Sequence, residues 1–168
     1  MKAIIYTSNT GSTAEYAQLL GKELNLPVHS LHQAKNKMPA GSEIIYLGWI
    51  MAGGIKGYKE AAKLYKVRAV CGVGMGQTGT QLKEVRDKNA IPQRIPLFTL
   101  QGNFDVQKLH GVYRFMMNVM VKTAGKGLAN KTDRTPEEDD MLDMMVNGGK
   151  RVSLQNMKAI TEWYKNIH

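Results

Sequence analysis

The residues best placed to do chemistry stand near the start of the chain, at Thr7-Ser8-Asn9-Thr10-Gly11-Ser12-Thr13. Hydroxyls at Ser8, Thr10, Ser12 and Thr13 surround one glycine, which lets a ligand approach the backbone closely. Where such a run joins a strand to a helix, the helix N-terminus adds free N–H groups and a dipole that favours an anion. No Lys follows in the spacing of a nucleoside-triphosphate loop, so nothing is set to reach β- and γ-phosphates or to hold magnesium. The run suits a terminal monophosphate on Ser8, Asn9, Thr10, Gly11, Ser12 and Thr13.

Two further segments have glycines in useful places. Trp49-Ile50-Met51-Ala52-Gly53-Gly54 offers a ring for stacking and a Gly53-Gly54 pair that tolerates positive φ. Gly72-Val73-Gly74-Met75-Gly76 follows an apolar run and continues to Gly79, a formal G-x-G-x-x-G match. That match does not predict a dinucleotide fold. It follows the fourth strand rather than the first, and Asp105 is the only nearby acid for a ribose. His29 and His32 would face opposite sides of a strand, which argues against a metal pair. Cys71 reads as a buried, inert thiol. A phosphoacceptor site needs clustered acids after the first strand, and Thr7 to Asn9 supply none.

These segments must be positioned by alternating strands and helices. Apolar runs of the kind buried on both faces predict strands at 2–7, 43–49, 67–73 and 96–101, and Val28 to Leu31 offers a second strand between the first two. Helical spacing predicts helices at 13–24, 59–65 and 78–89, with Ser12 and Glu15 as a capping box for the first. Strand–helix alternation implies right-handed crossovers and a parallel sheet covered on both sides. Leu109, Val112, Tyr113, Met116, Met117 and Met120 then form a Met-rich apolar stripe, which helical spacing assigns to packing on the sheet. Thr135-Pro136-Glu137-Glu138 opens a helix that Asn147-Gly148-Gly149 closes. A last helix spans 152–167, with Leu154, Met157, Ile160, Trp163 and Tyr164 on one face. Residues 103–150 read as an enlarged connection within one domain covering 1–168.

The first run resembles the flavodoxin family. From Ile4 to Leu20 it matches that family's N-terminal pattern of apolar strand, Ser/Thr, spaced small residue, Thr and Ala at every fixed position. The resemblance implies an α/β three-layer sandwich with a five-stranded parallel sheet of order 2-1-3-4-5. It also implies flavin mononucleotide (FMN), with its phosphate on Ser8 to Thr13. The ring would lie between Trp49–Gly54 and Gly74-Met75-Gly76, where a peptide flip at Gly53-Gly54 could meet N5 of the reduced flavin.

Lys and Arg number 23 against 14 Asp and Glu, a formal net charge of +9 over 168 residues. Such an excess favours an anionic partner. Ordinary flavodoxins are acidic carriers, so the charge and the long insertion make the chain resemble the menaquinone-dependent protoporphyrinogen IX dehydrogenases more closely. That resemblance implies an FMN oxidoreductase acting on a quinone- or porphyrinogen-like substrate. Peripheral membrane contact would run through the Met-rich segment, Arg114, Lys122, Lys126 and Lys131. The alternatives are an electron carrier serving a redox partner protein and a flavin-free interaction module. Nucleic acid finds no recognisable motif here. One cysteine excludes a disulfide framework, and the chain shows neither a signal peptide nor a membrane-length apolar run, which leaves the cytoplasm as the expected compartment.

Overall fold

A computed structural model describes residues 1–103 and 111–167. Strands β1 (Ala3–Thr7), β2 (Val28–Ser30), β3 (Glu43–Met51), β5 (Lys66–Gly74) and β6 (Leu97–Gln101) form a parallel sheet of order β2-β1-β3-β5-β6. Counting only these five, the order is the expected 2-1-3-4-5. A sixth, two-residue strand β4 (Gly54–Ile55) folds back antiparallel on the end of β3, pairing Met51 with Gly54 and Ile50 with Ile55.

The sheet is apolar on both faces because helices cover both. On one face Ile4, Ile45, Leu47, Ala69, Cys71 and Leu100 pack under helices α1 (Ser12–Leu24) and α7 (Lys158–Asn166). Helix α1 presents Tyr16, Ala17, Leu20 and Leu24 to them, a stripe at helical spacing. On the other face Ile5, Ile44, Tyr46, Val67 and Val70 pack under α2 (Leu31–Lys37), α3 (Tyr58–Leu64) and α4 (Leu82–Asn89). Each large side chain buried this way contributes roughly 1.5–3 kcal/mol. Alternation along β1 shows the rule directly, since neighbouring Ile4 and Ile5 enter opposite cores.

Helix α5 (Gly111–Ala129) packs on α6 (Pro136–Asn147), which begins and ends as expected. Thr135 caps α6 in a box with Glu138, Pro136 occupies the first turn, and Gly148 ends it at φ 67°. The insertion residues Phe104, Asp105 and Leu109 lie outside the described residues, as do the side chains of Val112, Tyr113, Met116, Met117 and Met120.

Several expectations need correction. The second strand stops at Ser30, because Ser30 and Gln33 form a capping box that starts α2. The sequence does not announce this helix, since its seven residues carry only Leu31 and Ala34 as buried positions. The helix expected from Thr78 begins at Leu82 instead. Residues 78–80 run along the edge of β6, where Thr78 Oγ1 accepts from Gln101 N and Gly79 N donates to Thr99 O. The final helix begins later than Val152, with a 3-10 turn at Gln155–Met157 before α7. Leu154 is 61% exposed and takes no part in its buried face.

Candidate functional site

The loop after β1 leaves hydrogen-bonding groups unused. Gly11 is the N-cap of α1 at φ 107°, and no side chain caps the helix. Its carbonyl accepts from Glu15 N at 2.9 Å, which places Ser12, Thr13 and Ala14 among the N–H groups that lack an intrahelical partner. A Cβ at Gly11 would meet nothing within 4 Å, so the glycine serves the backbone conformation and faces open space. Ser8 Oγ is buried yet has no hydrogen-bond partner among the described residues. A buried hydroxyl left unpaired is unfavourable by about 1–3 kcal/mol.

The expected capping box of Ser12 and Glu15 does not form. Ser12 Oγ accepts from Asn103 N at 3.0 Å, and Glu15 Oε2 accepts from Asn103 Nδ2 at 3.1 Å. With Gly11 as N-cap, Ser12 is already the first helical residue and cannot cap; Asn103, just past β6, engages both side chains, and the end of α1 stays open. Its Oδ1 also accepts from Arg151 N at 2.6 Å and Val152 N at 2.9 Å, tying the chain after α6 to the same point. Ser12 points its hydroxyl into this network. Ser8, Thr10, Gly11 and Thr13 take no part in this network, and Asn9 is exposed beside them.

Behind the loop, Tyr46 fixes the end of β1. Its hydroxyl donates to the Lys56 carbonyl at 2.7 Å and lies 2.8 Å from Thr7 Oγ1. One phenolic proton serves one acceptor, so the Thr7 hydroxyl donates back to it. Burial pushes the Tyr46 phenol far above its ordinary range, with Thr7 opposing the shift, so the group stays protonated.

The segment after β3 is a tight hairpin. Ala52 and Gly53 have φ of 46° and 75°, the paired positive values that a two-residue hairpin turn demands. Gly54 lies in β4 and needs no such freedom. Asn89, buried at the end of α4, clamps the hairpin. Its Oδ1 accepts from Ile55 N at 2.7 Å, and its Nδ2 donates to Gly53 O at 2.9 Å and Val85 O at 2.7 Å. A flip of the Gly53-Gly54 peptide would have to break the bond to Asn89. Trp49 is half-buried, with Lys56 Nζ 5.7 Å from its ring centroid. Ile50 crosses to the next strand, where a Cβ at Gly72 would come within 2.7 Å of its Cδ1.

Gly74 ends β5, and its carbonyl accepts from Gly102 N at 2.8 Å. A Cβ at Gly102 would approach Val73 Cγ1 at 3.0 Å and Ser12 Cβ at 3.2 Å. That missing side chain lets the start of α1 sit against the ends of β5 and β6. The first and third glycine segments are joined in this way. Gly79 of the G-x-G-x-x-G match turns at φ 83° three residues before α4, which is not the strand-to-helix turn that motif requires.

Other candidates do not assemble. His29 lies on β2 and His32 on α2, and no metal-ligating cluster occurs among the described residues. Cys71 is enclosed in the α1 and α7 core, where burial pushes its thiol well above the ordinary range. Sequence reasoning missed Asn89, Asn103, Gln101, Asp140 and Arg151, none of which belongs to a recognisable motif.

The donor set fits the phosphate of FMN. An uncapped helix end, an open glycine and an orphaned buried hydroxyl fall within residues 8–14 and offer neutral hydrogen-bonding groups, with no carboxylate among Thr7 to Ala14 to repel an anion. Searches of curated proteins and of solved structures give no significant match. A family model described as a flavodoxin domain matches residues 3–131, from the first strand through the whole of α5. With that match, the strand order and the open turn after β1 in agreement, the chain belongs to the flavodoxin domain family.

Proposed function

We propose that the protein binds FMN and transfers electrons through it. Flavodoxin domains generally bind this cofactor, and the observation that carries the reading is Ser8 Oγ, buried and unpartnered beside the uncapped start of α1. Ser8, Thr10, Thr13 and the first N–H groups of α1 hold the phosphate. Trp49 to Gly54 and Gly74 to Gly76 flank the ring. Bound flavin supplies the capacity to take up and return electrons; the chain supplies position and surroundings. The hairpin contributes rigidity, because Asn89 fixes both its turn and its returning strand.

The favoured role is that of a small oxidoreductase for a quinone-coupled or hydrophobic anionic substrate, of the protoporphyrinogen dehydrogenase type. Two observations support it over a simple carrier. The net charge is +9, and α5 exposes Phe115 at 70% and Val119 at 45%, one turn apart and followed by exposed Lys122 and Lys126. Apolar and cationic groups side by side suit propionate-bearing or lipid-embedded substrates, and peripheral contact with an anionic membrane. No helix among the described residues is long and apolar enough to cross a bilayer.

Titration with FMN and riboflavin tests the cofactor. FMN should bind with a shift of its visible bands, and Thr10→Val with Thr13→Val should weaken FMN far more than riboflavin. Equal losses for the two ligands would show that the turn does not hold phosphate. Turnover of menadione by the reduced protein, with a porphyrinogen donor, separates enzyme from carrier. Turnover only through a protein reductase would favour the carrier.

A further inference from the structure

Helix α6 begins beyond the residues that the family model matches, yet it is fastened to the end of the sheet that bears the site. Asp140 is the fastening point. Its Oδ2 accepts from Gln101 Nε2 at 2.6 Å, and its Oδ1 lies 3.3 Å from Arg151 Nη2. Arg151 Nη2 also reaches Asp143 Oδ2 at 3.0 Å. Gln101 is the last residue of β6, and its second amide hydrogen is left for Met144 Sδ at 3.3 Å and the Met75 carbonyl at 3.5 Å. Met144 and Met145 of α6 are both buried. One amide therefore joins α6 to the Gly74–Gly76 segment.

We infer that α6 is a docked wall on the Gly74–Gly76 side of the flavin site, and that Asp140 is the positioning residue that couples its docking to flavin binding. The inference rests on the proposed FMN site. Its physical basis is that Asp140, Gln101 and Arg151 form a half-buried set in which each partner satisfies the others. Removing the carboxylate leaves the Gln101 amide and the Arg151 guanidinium without their shared acceptor. Once α6 loosens, the Gln101 amide loses Asp140 and Met144, the two partners that fix its orientation, so its long contact to the Met75 carbonyl is no longer held in place. Linkage runs both ways, so a ligand favoured by the docked state must also favour docking.

Ser8 and Asp140 thus act on different parts of the ligand, which separates their effects. Ser8→Ala should weaken FMN and spare riboflavin. Asp140→Ala should weaken FMN and riboflavin alike, by about tenfold within the usual range of coupling between sites. Amide hydrogen exchange supplies a readout independent of activity. FMN should slow exchange across 136–147 in the wild-type protein, and Asp140→Ala should speed it without ligand.

A charge-exchanged pair covers the chance that the alanine variant does not fold. Gln101→Glu alone sets two carboxylates against each other and should release α6. Combined with Asp140→Asn, it exchanges donor and acceptor and should restore both slow exchange and flavin affinity. The inference is overturned if Asp140→Ala speeds exchange in α6 while both flavins bind as before. It is overturned equally if the exchanged pair binds as weakly as Gln101→Glu alone. Wild-type protein that binds neither flavin defeats the functional proposal itself, a result distinct from both.

Discussion

Two helix starts in this molecule are spelled alike and built differently. At α6 the series Thr135, Pro136, Glu137, Glu138 closes on itself: Thr135 Oγ1 accepts from Glu138 N at 3.3 Å, and Glu138 Oε2 accepts from Thr135 N at 3.0 Å. At α1 the series Ser12, Thr13, Ala14, Glu15 has the same hydroxyl-to-carboxylate spacing but makes neither bond, because the helix starts one residue early, with Gly11 as N-cap and Ser12 already helical, and both side chains meet Asn103 instead. Both ends have the same backbone need. One meets it internally and gains stability. The other leaves it unmet, with a buried Ser8 hydroxyl beside it, and that difference is the ground for the proposed anion site.

The comparison breaks first at Asn103. Replacing it with Ala removes the acceptor for Arg151 N and Val152 N and the donor to Glu15, so stability should fall by about 3 kcal/mol in urea unfolding. A loss below about 0.5 kcal/mol would mean that this hub does not hold the open end in place. Next in size is Ser8→Ala, which should show a split that no capping residue can show. FMN affinity should drop by about tenfold or more, the usual loss for a hydrogen bond to a charged group. The ligand-free protein should be unchanged or slightly more stable, because a buried hydroxyl with no partner disappears. Matching losses in stability and affinity would place Ser8 in the structure and not in the site. Thr135→Ala supplies the contrast, with about 1 kcal/mol of stability lost and FMN affinity unchanged.

How much of this was legible in the sequence depends on whether a feature is local. The longer parallel strands were legible because each is a largely apolar run, which the short edge strand Val28–Ser30 is not, and the cap of α6 because its partners lie three residues apart. The hydroxyl run after β1 was legible for the same reason. Which of its hydroxyls remain available was not, since Asn103 lies 91 residues from Ser12. Asn89 escaped notice similarly, meeting Ile55 and Gly53 from 34 and 36 residues away. The insertion was legible as an insertion, but its fastening through Gln101, Asp140 and Arg151 joins three segments with no shared spacing. The box of Ser12 and Glu15 fails because Gly11, at φ 107°, starts α1 one residue before Ser12 could cap it, and both side chains then meet the distant Asn103.

The smallest expected effect sharpens the closed end. Glu138 holds its carboxyl below the usual carboxylate range, chiefly through the hydrogen bond from Lys131 and next through the Thr135 N–H. A carboxyl whose pKa is lowered by folding stabilises the fold above its unfolded value of about 4.3, and that contribution disappears as pH falls through the lowered folded value. Glu138→Gln should therefore lie below wild type in thermal unfolding at pH 7, with the gap narrowing as the pH falls below about 4. The group is solvent-accessible, so the gap should also shrink in high salt. Ser8→Ala should show neither trend in the ligand-free protein, because the Ser8 hydroxyl carries no charge. A gap for Glu138→Gln that stays constant from pH 7 to pH 3 would assign its role to packing, and the contrast between the two helix starts would then rest on Thr135 alone.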